Sequence, residues 1–301
     1  MKNFKEVIAA AAAFGPVTLA VAAPYDKNTI GAVRDARKAA LIRPLLCGNA
    51  GLIRSALDEA GENPEDYETL EGRDPARVAI AAVRDGRADF LMKGKLTTSA
   101  IMSACLNKTS GLNTGRSMSA VTVCHIPAYG KLLAVSDPAL NILPTTEQKI
   151  DFTASMIKLL HALGIDNPRI ALLSSSEEVS MKIPSTMDAA VITQMNRRGQ
   201  LAGAQVDGPL ALDNIVSAAA AEKKGIHSPV AGSADGIIVP NIECGNALIK
   251  SLIYFAGSTN ATLVVGGMAP VVLPSRAGSL ETKLAALAVG ALLARRYKEV
   301  I

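Results

Sequence analysis

Short aliphatic runs alternate with helically spaced apolar residues along almost the whole chain. VTLAVAA (17–23), RPLLCG (43–48) and DFLMKG (89–94) read as buried strands, too short and too continuously apolar for surface helices. Between and after them, TIGAVRDARKAAL (29–41), LIRSALDEAG (52–61), DPARVAIAAVRDGRA (74–88) and LTTSAIMSACLN (96–107) place apolar residues three or four apart, as amphipathic helices do. SAVTVCHIP (119–127) and KLLAVSD (131–137) follow one another with no helix between, the pattern of an antiparallel pair.

A second cycle begins with a long helix over 148–165, the strand RIALLSSS (169–176) and a helix over 187–199. QVDGPLALDNIVSAAAAEKKGI (205–226) reads as a turn and then a helix, ADGIIVPNI (234–242) as a strand, GNALIKSLIYFAG (245–257) as a helix and ATLVVGG (261–267) as a strand. The stretch 269–296 supplies a last strand, a polar elbow Ser275-Arg276-Ala277-Gly278-Ser279 and a last helix, expected to begin at Ser275. This is an α/β pattern: a mainly parallel sheet with helices on both faces.

The start, MKNFKEVIAAAAAFGPVTLAVAAPYDK, has the lysine, apolar run and AVAA of a secretory signal, but Glu6 and Gly15-Pro16 interrupt it. It reads instead as a helix over 4–14 followed by a strand and a turn. No run reaches the roughly 20 apolar residues of a membrane span. Four cysteines without a CxxC pair read as idle thiols of a cytoplasmic protein, and three histidines at no ligand spacing leave no metal site in view. A net charge of +4 with 3 % aromatic residues is too weak and scattered for a nucleic-acid surface, yet compatible with a local anion site.

Ligands of open α/β sheets sit beyond the carboxyl ends of strands, and several polar clusters fall there. In FLMKGKLTTSA, Lys93, Gly94, Thr97 and Thr98 surround a helix start suited to a phosphate; a threonine-capped helix with solvated lysines is the alternative. Arg116 in GLNTGRSMSAV suits a phosphate fork or an exposed turn. Asp137 after KLLAVS starts a turn or meets a ligand. Gly208 and Gly245 in VDGPLALDN and VPNIECGNALIK allow close backbone approach, and Asp213, Asn241 and Asn246 are polar where a ligand has room to lie.

MKGKLTT, VSDPALN, KIPSTMDAA, RRGQLAGAQVDGPLALDN, KKGIHSPVAGSAD, VPNIECGNALIK and PVVLPSR follow one another in a single order. Together they resemble the phosphate acetyl/butyryltransferase family, the butyryltransferase branch most of all. The resemblance implies interconversion of a short-chain acyl-CoA (butyryl or acetyl) and phosphate with acyl phosphate and CoA, by direct transfer in a ternary complex. CoA is then a substrate, assigned with its acyl group to the places marked by Gly208, Asp213, Asn241, Gly245 and Asn246. No cofactor is permanently bound, and the chain works as a cytoplasmic homodimer. It implies a two-domain, three-layer αβα fold similar to isocitrate and isopropylmalate dehydrogenases. The first domain would comprise 1–135 and 265–301 and the second 136–264, with the active-site cleft between them. It places Ser275 and Arg276 at that cleft as the catalytic pair. A serine hydroxyl there donates to a developing oxyanion, and a guanidinium fork suits phosphate better than a lysine.

The chain also departs from that pattern. Gly278 and Thr282 stand at two positions where relatives carry acids, Asn113 replaces an arginine, Ala120 a histidine and Ser233 an aspartate. If an acid at 278 or 282 is the general base, its loss costs about 10²–10⁴ in rate. The alternative function is therefore a degenerate relative that binds acyl-CoA or acyl phosphate without turnover. A hydroxyacid dehydrogenase of the same fold would need an acidic Mg²⁺ cluster, and no Asp triplet suggests one.

Overall fold

The computed structural model describes residues 1–274 and 278–299, so Ser275, Arg276 and Ala277 lie outside the described residues. Residues 4–116 and the chain from Ala261 onward form one compact unit; 117–260 form a second, joined by residues 1–3. The antiparallel pair anticipated from the sequence lies wholly in the second unit, whereas the sequence reading ends the first domain at residue 135, near the end of that pair.

In chain order the first unit opens with α1 (Phe4–Ala13), β1 (Val17–Ala22), α2 (Lys27–Lys38), β2 (Ile42–Gly48), α3 (Ala50–Glu59), β3 (Glu68–Glu71), α4 (Pro75–Arg84), β4 (Phe90–Lys93) and α5 (Thr98–Cys105). The second holds β5 (Ser119–His125), β6 (Leu132–Ser136), α6 (Thr146–Ala162), β7 (Arg169–Leu173), α7 (Pro184–Arg197), β8 (Gln205–Leu210), α8 (Leu212–Val216), α9 (Ala218–Lys223), β9 (Gly236–Ile238) and α10 (Ile242–Ala256). The chain then returns through β10 (Thr259–Val265), β11 (Val271–Val272) and α11 (Leu280–Glu299).

The strands of the first unit lie in the order β3-β2-β1-β4-β11-β10, parallel except for β10 against β11. Those of the second run β5-β6-β9-β7-β8, parallel except for β5 against β6. Every residue of β4 is buried, and Phe90 and Phe152 are fully enclosed. Parallel strands covered by helices need such runs, which is why the aliphatic stretches locate the sheet so well. The signal-like start is structural: Phe4, Val7 and Ala11 of α1 are buried, α1 packs on α11, and Arg295 donates to the carbonyls of Phe14 and Gly15.

Two expectations need correcting. QVDGPL is not a turn but β8, paired in parallel with β7. It is an edge strand, where a proline's missing N–H leaves no ladder bond unmade. The last helix starts not at Ser275 but at Leu280: the Ser279 hydroxyl accepts from Thr282 N at 3.2 Å, and the Ser279 carbonyl accepts from Lys283 N at 3.1 Å. Gly278 therefore precedes the cap, and an acid there would not have been a third helical residue.

Two side-chain environments fix strand ends. Asp137 is 1 % exposed and accepts from the N–H groups of Ala120, Ala139, Leu140 and Asn141 and from the Asn141 amide at 2.6–3.2 Å. It ties the turn after β6 to β5, as a turn-building aspartate does. At the end of β4, Gly94 N donates to Ala22 O at 2.8 Å, and a Cβ on Gly94 would stand 2.3 Å from Ala23 O. Asp137→Ala strands several buried N–H groups and is expected to lower unfolding free energy in urea by at least about 3 kcal/mol. Gly94→Ala forces the ends of β1 and β4 apart and should cost about 1–3 kcal/mol in the same measurement.

Candidate functional site

β1, β4 and β11 are neighbours and point the same way, so their carboxyl ends open together. A pocket of about 330 Å³ lies there, within the first unit. Lys93, Gly94 and Lys95 come from the end of β4, and Pro274 from just beyond β11. Asp26, Asn28 and Thr29 come from the start of α2, and Lys283 from the first turn of α11.

Lys93 is 6 % exposed, yet its ammonium is held at the pocket because the chain curls round it. Its Nζ donates to Leu96 O at 3.1 Å and Gly94 O at 3.3 Å, and Leu96 N closes the turn on Gly94 O at 2.9 Å. Lys283 is 8 % exposed and Lys95 is exposed. Asp26 is the one carboxylate among the described lining residues, and its oxygens are engaged as a cap. Oδ1 accepts from Thr29 N at 2.9 Å and Oδ2 from the Thr29 hydroxyl at 2.7 Å. Three ammoniums against one occupied carboxylate make a wall suited to an anion. Among the described residues no cluster of three His, Cys, Asp or Glu side chains is placed to hold a metal ion.

The structure gathers only part of the predicted phosphate set. Lys93 and Gly94 line the pocket, but the Gly94 N–H is spent on Ala22, so what this glycine supplies is the close strand approach. Thr97 is the N-cap of α5, accepting from Ala100 N at 3.1 Å; Thr98 follows it, and both are exposed and outside the pocket lining. Arg116 is exposed and does not line the pocket. Asp26, Asn28, Thr29 and Lys283 were missed. The run NTIGAV after Asp26 does carry a cap signal, whereas Lys283 reads in sequence as an ordinary surface lysine of an amphipathic helix.

Ser275 and Arg276, the predicted catalytic pair, lie outside the described residues; the chain leaves them at Pro274, on the pocket lining, and resumes at Gly278. Thr282 bonds Ser279 through both its N–H and its hydroxyl, and Glu281 is exposed.

In the second unit the predicted CoA residues have identifiable packing contacts. Asn241 caps α10, accepting from Cys244 N at 2.9 Å. A Cβ on Gly245 would stand 2.8 Å from Pro138 Cα, and the Asn246 amide donates to Pro138 O at 3.3 Å, so α10 is seated on the turn after β6. Gly208 faces Leu172, whose Cβ would be 2.7 Å from a Cβ at 208. Asp213 pairs with Lys224 at 3.1 Å, and that hydrogen bond holds its carboxyl below the ordinary aspartate range. Asp213 and Asn246 are the two with exposed polar side chains.

The departures also have local explanations. Asn113 accepts from Gly115 N at 2.7 Å, Ala120 is buried beside Asp137, and the Ser233 hydroxyl meets Arg169 at 2.5 Å. Burial pushes the thiols of Cys47, Cys105 and Cys124 up to about 12, so they stay protonated and poorly nucleophilic at neutral pH.

Residues 54–291 match the family model described as "Phosphate acetyl/butaryl transferase". The phosphate acetyltransferase of Thermotoga maritima is 42 % identical over 92 % of this chain and 95 % of its own. The phosphate butyryltransferase of Clostridium acetobutylicum is 40 % identical over 98 % of this chain and 99 % of its own. Among solved structures, a branched-chain phosphotransacylase from Enterococcus faecalis V583 superposes with a TM-score of 0.80 at 29 % identity, covering 92 % of this chain and 99 % of its own. A 4-hydroxythreonine-4-phosphate dehydrogenase from Klebsiella pneumoniae shares only the fold, with a TM-score of 0.53 at 13 % identity, 93 % of this chain and 99 % of its own being covered. The family-model match and the near-complete coverage of both relatives make the chain a member of the phosphate acetyl/butaryl transferase family.

Proposed function

We propose that the chain is a phosphate acyltransferase that interconverts a short-chain acyl-CoA and phosphate with acyl phosphate and CoA, in a two-domain, three-layer αβα fold acting in the cytoplasm. The supporting observation is the pocket itself. Lys93, Lys95 and Lys283 converge at the carboxyl ends of three parallel strands, and Pro274, on the lining, leads directly to Ser275 and Arg276.

A phosphate oxygen attacks the thioester carbonyl, the carbonyl oxygen becomes an oxyanion, and the C–S bond breaks as CoA thiolate leaves. The ammoniums and the Arg276 fork hold the phosphate near that carbonyl, where orientation supplies much of the rate. Ser275 donates to the oxyanion and does not itself carry the acyl group. Protonation of the departing thiolate needs no acid at 278 or 282. A thiol of reference pKa about 8.5 costs only ~2 kcal/mol to ionise at pH 7. CoA is assigned to the second unit, where Asp213 and Asn246 present polar side chains near the ends of β8 and β9.

Thiol release from acetyl-, propionyl- and butyryl-CoA should require phosphate, and the series reads out the acyl preference; release indifferent to phosphate contradicts the assignment. Arg276→Lys should raise the phosphate KM markedly while leaving the CoA KM close to wild type.

The homodimer is assigned to α10. Its sequence IECGNALIKSLIYFA is apolar on more than one face, only Gly245 and Ile249 are buried, and Tyr254 and Phe255 are 77 % and 90 % exposed. An exposed apolar helix face of this kind is a subunit contact in many proteins. Light scattering on Phe255→Glu should give half the wild-type mass; an unchanged mass removes α10 from the interface.

A further inference from the structure

Lys283 occupies an unfavourable place for a cation. It is the fourth residue of α11, inside the first turn, where aligned peptide dipoles and unpaired N–H groups already put partial positive charge. It is 8 % exposed. Among the described residues no carboxylate forms an ion pair with it, and Ser275, Arg276 and Ala277 contain no acid. Glu281, its neighbour on the helix, is exposed, and Thr282 is turned to Ser279. The pocket's own carboxylate, Asp26, is bonded to Thr29.

A largely desolvated ammonium costs stability unless a counter-charge reaches it. The described residues around it do not supply one, but the pocket it lines gives a ligand access. Lys93, 6 % exposed, lines the same pocket, so an anion there meets two largely buried lysines and the amino end of α11.

We propose that Lys283 is a phosphate-binding residue of this site. Its counter-ion is the phosphate group of inorganic phosphate and, in the reverse reaction, of acyl phosphate, held together with Lys93. The assignment rests on the transferase reading for its substrate, but its physical consequence does not: the empty protein gives up stability to keep this charge, and the bound anion restores it.

CoA also carries phosphates, so the test separates the two sources. Thermal melting of the full chain is recorded in phosphate, in CoA and in chloride at equal ionic strength. Wild-type protein should melt higher in phosphate than in chloride. Lys283→Met, which keeps the aliphatic stem, should melt at least as high as wild type in chloride and lose most of the phosphate-induced rise. Its stabilisation by CoA should persist. Kinetically its phosphate KM should rise about 10- to 100-fold, the range expected for losing one charge-assisted hydrogen bond, with the acyl-CoA KM nearly unchanged. Lys283→Arg keeps the charge and should keep the phosphate-induced rise.

If Lys283→Met does not fold, Lys283→Gln is read by the same criteria. A Met or Gln variant that keeps the wild-type phosphate response, or loses only the CoA response, overturns the proposal. Absence of turnover with every acyl-CoA would count against the transferase reading while the melting comparison still decides the role of Lys283.

Discussion

The contact between the ends of β1 and β4 governs the first unit. Gly94 brings its backbone so close to the carbonyls of Ala22 and Ala23 that no side chain fits, and its N–H extends the ladder one residue beyond the strand. That approach sets the turn in which Lys93 is clasped by Gly94 O and Leu96 O, and so fixes an ammonium at the mouth of the sheet rather than in solvent. β11 lies on the other side of β4 and carries the chain to Pro274 at the same mouth. The site is thus a property of three strand ends in register.

The chemistry follows from what surrounds that mouth. Each lysine supplies a compact charge to a phosphate, complementing the two-point grip proposed for Arg276. A site with two largely buried lysines and one capped carboxylate suits an anion, and the proposed transfer step needs charge screening and orientation more than a nucleophilic side chain. Asp26 and Thr29 close the other side by capping α2, so the Asp26 carboxylate is engaged by Thr29 and the lysines carry the positive charge of the lining.

Most strands and helices are legible in the chain because aliphatic runs and helical spacing coincide with burial. VTLAVAA and FLMK are buried parallel strands, and the unbroken pair SAVTVCH and LLAVS is antiparallel as anticipated. Local punctuation misleads in two places. The Gly-Pro of QVDGPL reads as a turn, yet an edge strand accepts it; the polar elbow reads as a helix start, yet Ser279 caps α11. The site is legible only where one segment carries it. MKGKLTT announces Lys93, whereas Lys283 becomes visible only when α11 lies over the sheet, since an isolated lysine in LETKLAALAV looks like any solvated charge. Glycines and asparagines at strand ends are ambiguous for the same reason. Gly208, Gly245 and Asn241 read in the sequence as places for a ligand, but strand approach, helix seating and capping account for their contacts.

The most direct measurement is a crystal structure of the chain grown in phosphate with CoA. The account predicts a phosphate bridging the Nζ atoms of Lys93 and Lys283 at about 2.7–3.2 Å, at the carboxyl ends of β1, β4 and β11. A phosphate bound elsewhere on the molecule, with both ammoniums turned to protein partners, would contradict it.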